Sequence, residues 1–157
     1  MKKRAKIIVF EGQDKSGKET QSKLAVEALI RAGTNVERVE VPVQRATTTY
    51  RAIYWMLRTG RAKSWPNFFQ FVQFLNKLVF QVFYLPAIEA RNDVIVLDRW
   101  RLSAVVYGIS TGVNDWLSTW LYERLKRADL TIVFSGRSYR RPTIDDDSYE
   151  KDNKLQS

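Results

Sequence analysis

At 157 residues, with 45% apolar and 27% charged side chains, the chain can bury one sizeable core and is too short for two comfortable ones. It contains no cysteine and no histidine, which removes disulfides, zinc–thiolate sites, thiol nucleophiles, Ser-His-Asp triads and histidine general bases. A net charge of +9 points to nucleic acid or to phosphorylated small molecules as partners, and any chemistry must run on carboxylates, Lys, Arg, backbone amides or a hard cation.

Lys2, Lys3 and Arg4 lead into an apolar run over 5–10 that is too short for a signal-peptide core and is followed at once by Glu11, so a cytoplasmic location without membrane attachment is expected. The run Ile7-Ile8-Val9-Phe10 is rich in β-branched residues and does not alternate. Val94-Ile95-Val96-Leu97 and Leu130-Thr131-Ile132-Val133-Phe134 look the same, and each reads as a parallel strand buried on both faces. Residues 36–41 alternate with Glu and Arg and read as a strand nearer an edge. A helix over 18–32, with apolar residues at 24, 25, 28 and 29, stops at Gly33. Asn114 or Asp115 caps another, running through Trp116, Leu117, Trp120, Leu121 and Leu125 to Arg127. Helical crossovers between such strands predict an α/β fold, a three-layer α/β/α domain with a mostly parallel sheet.

The segment 67–88 is apolar enough to suggest a membrane span, but Gln70, Gln73, Asn76, Lys77 and Gln81 interrupt it. At about 100° per residue, Gln70, Gln73, Lys77 and Gln81 fall within about 80° of one another, with Asn76 at the margin. This predicts a helix buried on most of its circumference. Its narrow polar stripe either meets water or lines a polar pocket, while the aromatic faces meet the core and a second subunit.

The chemistry concentrates in Gly12-Gln13-Asp14-Lys15-Ser16-Gly17-Lys18, set between a strand and a helix. That context suits a phosphate-binding loop: glycines let amides curl around phosphate oxygens, the helix presents its positive end, and Lys18 reaches the terminal phosphates. Glu19 stands where a Ser or Thr hydroxyl usually helps hold Mg²⁺. Its carboxylate can ligate the cation directly, the preferred reading because the rest of the loop is intact, or it can repel phosphates and disable the site. Thr20 offers a hydroxyl, but about 100° further round the helix. Asp98 and Arg99, at the end of the strand over 94–97, can hold Mg²⁺ and bridge two phosphate groups respectively.

Three stretches together resemble one family. Phe10-Glu11-Gly12-x-Asp14-x-x-Gly17-Lys18-x-Thr20-Gln21 resembles the loop of thymidylate kinases, and Asp98-Arg99-Trp100-x-x-Ser103 resembles that family's Asp-Arg-Tyr-x-x-Ser stretch. Arg45, shortly after Pro42, resembles the arginine of its Pro-Glu-Arg-Ser segment, and Ser148-Tyr149-Glu150 resembles the Arg-Tyr-Glu that closes its lid. The resemblance is collinear from Lys6 to Gln156.

It implies a single P-loop NTPase domain over 1–157, with a lid at about 135–147, that phosphorylates dTMP or a related deoxynucleoside monophosphate from ATP with Mg²⁺, as a homodimer. Residues 12–20 would bind ATP (Gly12, Gln13, Asp14, Lys15, Ser16, Gly17, Lys18, Glu19 and Thr20), and the lid arginines Arg137, Arg140 and Arg141 would fold over it. Lys15 and Lys18 would neutralise the transferring group, Asp98 with Glu19 would hold the metal, and Arg45 and Arg99 would hold the acceptor phosphate. Asp14 would bond the sugar hydroxyl, with Ser103, Tyr107 and Tyr149 also on the acceptor side. Phe74 would stack on the base. Asn76 and Lys77 would stand for a base-reading Asn-Arg pair, lysine giving a point donor in place of a planar fork. The family continues past the lid with a helix, a strand and an adenine-contacting loop, whereas this sequence stops at Ser157. Two other readings are weighed: a nucleotide-binding scaffold disabled by Glu19, and, less economically, a nucleic-acid-binding module using the charge of +9.

Overall fold

The computed structural model describes residues 4–13, 15–110 and 112–135. Four strands, β1 (Lys6–Gly12), β2 (Val36–Glu40), β3 (Val94–Asp98) and β4 (Leu130–Phe134), form one all-parallel sheet in the order β2-β3-β1-β4. Phe10 pairs with Asp98 and Gly12 with Phe134, so the carboxyl ends of the two central strands meet at one edge of the core. Strand side chains alternate between faces. Ile7, Val9, Ile95 and Leu97 share a core cluster with Phe80, Leu85, Ile88, Trp100, Leu121 and Leu125. Helix α1 (Lys18–Arg31) packs against β1, β2 and β3 outside that cluster. The result is the α/β/α layering expected from the sequence.

After β2 come α2 (Thr47–Arg58), the short α3 (Arg61–Ser64) and α4 (Pro66–Val79). A π-helical turn, Phe80–Tyr84, joins α4 to α5 (Leu85–Arg91), making one helical span over 66–91. Pro86 sits at the start of α5, where its ring and missing N–H disrupt a regular α-ladder and a wider turn accommodates them. By length and composition this span suffices to cross a membrane. Here it is a core helix: it buries Phe69, Phe74, Phe80, Leu85 and Ile88 together with Gln70, Asn76 and Lys77. Helices α6 (Arg101–Ser110) and α7 (Asp115–Tyr122) complete the fold, and the Asn114 side chain accepts a bond from Trp116 N as the cap of α7.

Three local expectations are corrected. Strand β4 is not buried on both faces, since Leu130 and Val133 are 50% and 55% exposed at the rim of the described sheet. Helix α7 stops at Tyr122 instead of Arg127, because a turn over 122–125 swings Leu125 into the core. Helix α1 buries Lys18 and Ser22, while Leu24 is exposed; what anchors this helix is polar.

Candidate active site

The loop end of the cavity is built by backbone. Strand β1 ends at Gly12 (φ +148°), where a Cβ would lie 2.7 Å from the Phe134 carbonyl oxygen. Gly17, at φ +85°, opens α1 in the left-handed region that glycine tolerates. Lys18 therefore begins the helix nearly buried, with Nζ 3.9 Å from Asp98 Oδ1 at the end of β3. Arg38 of β2 donates to the other Asp98 oxygen and, at 2.9 Å, to Ser22 Oγ. Among the described residues the loop's Ser16 hydroxyl is buried without a partner, a donor that a phosphate oxygen would satisfy. Lys15, Gly17, Lys18, Glu19, Thr20 and Asp98 line a cavity of about 570 Å³.

Across that cavity lies the polar stripe of α4, with Gln70, Gln73 and Lys77 in its wall. The structure decides between the two readings of the stripe: Gln70 and Lys77 are buried against the cavity and do not face bulk water. Burial holds the Lys77 amine down to about 8, with the Glu11 carboxylate pulling the other way. Its Nζ sits 5.4 Å from the centre of the Tyr122 ring. The Gln70 amide is oriented by the Tyr122 hydroxyl, which donates to Oε1 at 2.9 Å, and burial raises that phenol's pKa. Gly108 on α6 leaves room for this contact, since a Cβ there would lie 2.6 Å from Ser118 Oγ and 3.3 Å from the Gln70 amide.

Between the two ends, Glu11 organises α6. Its buried carboxylate accepts from the amides of Trp100 (3.0 Å), Leu102 (3.1 Å) and Ser103 (3.2 Å), and from the Ser103 hydroxyl. Those amides are the unsatisfied donors of a helix start, and a carboxylate there also meets the positive end of the helix dipole. Arg99 adopts φ +65°, its N–H bonds Phe10 O, and its guanidinium lies 5.6 Å from the Tyr107 ring centre. Arg99, Ser103 and Tyr107 all face the cavity.

No protein-family model matches the sequence. The thymidylate kinase of Plasmodium falciparum (isolate 3D7) is 32% identical over 128 residues, which cover 76% of this chain and 54% of that protein. The chain belongs to the thymidylate kinase family. It spans about half the length of this curated relative. The fold is shared with two solved thymidylate kinases at 23% identity. One, from Candida albicans and described as revealing the origin of broad substrate specificity, aligns at a TM-score of 0.70 over 94% of this chain and 71% of its own. The other, from Ehrlichia chaffeensis, aligns at 0.65 over 86% and 78%.

Of the residues that the thymidylate kinase resemblance picked out, Lys15, Gly17, Lys18, Glu19, Thr20, Lys77, Asp98, Arg99, Ser103 and Tyr107 share the cavity. Gly12, Gln13 and Ser16 shape the loop behind it. Asp14, Arg137, Arg140, Arg141 and Tyr149 lie outside the described residues.

Four assignments change. Phe74 does not stack in the pocket: it is buried edge-on to Tyr122, 6.0 Å between ring centres, because one residue's rotation from Gln73 turns it into the core. Asn76 lies outside the cavity lining. Its amide accepts from Val43 N (2.7 Å) and donates to Val43 O (3.1 Å) and Thr49 Oγ1 (3.0 Å), clamping the segment that carries Pro42 into the cavity wall. Arg45 is outside the cavity lining, exposed and paired with Glu37 at 3.0 Å. Glu19 directs its carboxylate to Lys23 at 2.6 Å, an exposed i,i+4 pair whose hydrogen bond holds its pKa low, so its carboxylate is not aimed at Asp98.

Sequence reasoning missed the roles of Glu11 and Arg38. A charged residue inside each of two otherwise strand-like runs was the available signal.

Proposed function

We propose that the chain acts as a single domain that transfers the terminal phosphoryl group of ATP to a deoxynucleoside monophosphate, dTMP foremost. The observation that carries this reading is one cavity, about 570 Å³, whose ends differ in chemistry: loop cations and amides at one, buried Gln70 and Lys77 with half-buried Gln73 at the other. That volume suits a bound nucleotide.

Lys18 and Lys15 neutralise charge on the transferring group, and the loop amides with Ser16 Oγ hold phosphate oxygens. Arg99, poised at the start of α6 by Glu11, reaches the acceptor phosphate. Gln70, Gln73 and Lys77 face the acceptor's base, and Tyr107 flanks the acceptor. No covalent intermediate is required, so the absence of histidine and cysteine costs the reaction nothing.

Bound Mg²⁺ would spread charge across the donor phosphates. Asp98, a hard carboxylate beside Lys18, fits such an ion. Glu19 would have to leave Lys23 to serve as a second ligand. Homodimerisation would use the outward face of the 66–91 span, where Phe71, Val82 and Phe83 are exposed. The proposal includes a cytoplasmic location.

The test is a coupled assay of ADP release with ATP, Mg²⁺ and each deoxynucleoside monophosphate in turn, beside titration of nucleotide binding. Turnover with dTMP above the other acceptors supports the reading. Absence of any nucleotide binding refutes it.

A further inference from the structure

Between Glu40 and Glu89 the sequence contains no acidic residue and six cations, Arg45, Arg51, Arg58, Arg61, Lys63 and Lys77. Folding divides them. Lys77 goes into the cavity and Arg45 pairs with Glu37, while the other four gather on α2 and α3. On α2, Arg51, Tyr54, Trp55 and Arg58 occupy positions i, i+3, i+4 and i+7 and so share one face, and all four are exposed. No salt bridge among the described residues involves Arg51 or Arg58.

Gly60 (φ +72°) turns the chain into α3, and the Arg61 guanidinium lies over two indoles at once, 4.6 Å from the Trp55 centre and 5.9 Å from that of Trp65. The two helices thereby present one continuous surface. Trp55 and Trp65 remain 49% and 51% exposed, and Tyr50 and Tyr54 form a further ring pair at 4.6 Å.

From this surface we infer that the α2–α3 face binds single-stranded nucleic acid, adjoining the nucleotide cavity, whose wall Tyr54 shares. Cations spaced along a face with half-open rings between them provide what a single strand requires: charge for its phosphates and flat partners for its bases. The alternatives fit less well. In a two-fold dimer the face would meet itself, placing four cations against four with no acidic residue from this segment to pair them. A membrane surface would call for an apolar face set apart from the cationic one, whereas here cations and rings alternate on the same face.

The test uses the whole chain and a fluorescently labelled oligo-dT of about 16 nucleotides, with ATP and dTMP in excess to fill the cavity. We expect a rise in anisotropy with quenching of tryptophan fluorescence, and a log–log salt slope near −3, about 0.7 for each of four neutralised phosphates. The double variant Arg58→Glu/Lys63→Glu should bind at least tenfold more weakly at low salt. Trp55→Ala/Trp65→Ala should lose about tenfold in affinity and most of the quenching. Circular dichroism checks that both remain folded, and the charge reversal decides alone if the tryptophan pair unfolds.

The inference is overturned if no binding occurs at about 50 mM salt. It is equally overturned if excess nucleotide displaces the oligomer, or if both folded variants bind it as the parent does. Binding to anionic vesicles in its place, or variants that weaken only self-association, would reassign the face.

Discussion

The two ends of the cavity hold their cations by different means. At the phosphate end, Lys18 sits 3.9 Å from Asp98, which also binds Arg38, so protein carboxylate stands beside the cations before any ligand arrives. At the far end, no salt bridge among the described residues reaches Lys77, whose amine is buried against Tyr122 and held down to about 8. The first end depends on backbone conformation and on these ion pairs. The second depends on burial, and it can change protonation within the range where an enzyme is assayed.

The contrast breaks most sharply at Lys18. Lys18→Ala should cut turnover by on the order of 10²–10³-fold and abolish ATP binding while leaving dTMP binding measurable, as a titration of each ligand would report. Unchanged ATP affinity would remove the loop from the site.

The next largest effect is expected between the ends. Glu11→Ala leaves three amides and a hydroxyl at the start of α6 without their acceptor, and should cost about 3 kcal/mol in urea denaturation. Because that turn positions Arg99 and Ser103, kcat should fall more than ATP affinity.

Lys77 sharpens the comparison through pH. The unfolded amine keeps its proton up to about 10.5 while the folded amine releases it above about 8, so between these values the unfolded state binds more protons. Stability should therefore rise with pH over that window, and Lys77→Met should flatten the curve. Acceptor affinity should move the other way, weakening as the amine loses its charge above pH 8, by roughly tenfold if one charged hydrogen bond is lost. Lys77→Arg, which keeps its charge, should remove the pH dependence of acceptor KM while ATP KM stays flat in both proteins.

The smallest effect belongs to Glu19. Its exposed pair with Lys23 contributes little, so Glu19→Thr should change stability by less than about 0.5 kcal/mol. Calorimetric titration of ATP with and without Mg²⁺ then separates the roles. A parent protein that needs Mg²⁺ more than the Thr variant does makes Glu19 a metal ligand. Equal binding in chelator makes it a surface residue. Binding only by the variant makes it the residue that disables the site.

The placement of the loop residues was legible in the sequence because backbone sets it. Glycines at 12 and 17 between a strand and a helix determine where amides point, and Lys18 follows from its place in the chain. The parallel strand runs, the edge position of β2 and the polar stripe of the long helix were legible for the same reason: burial on two faces, on one, or along a narrow stripe leaves its own periodicity. Periodicity says which residues share a face, but not what covers that face. Only tertiary structure decided that Asn76 clamps Val43, that Phe74 packs on Tyr122, that Arg45 turns to Glu37, and that Glu11 seats the helix carrying Arg99. Each is a contact between groups at least 8 residues apart in the chain, most of them more than 30. Its partner is selected by how the layers pack, and local sequence carries no record of that choice.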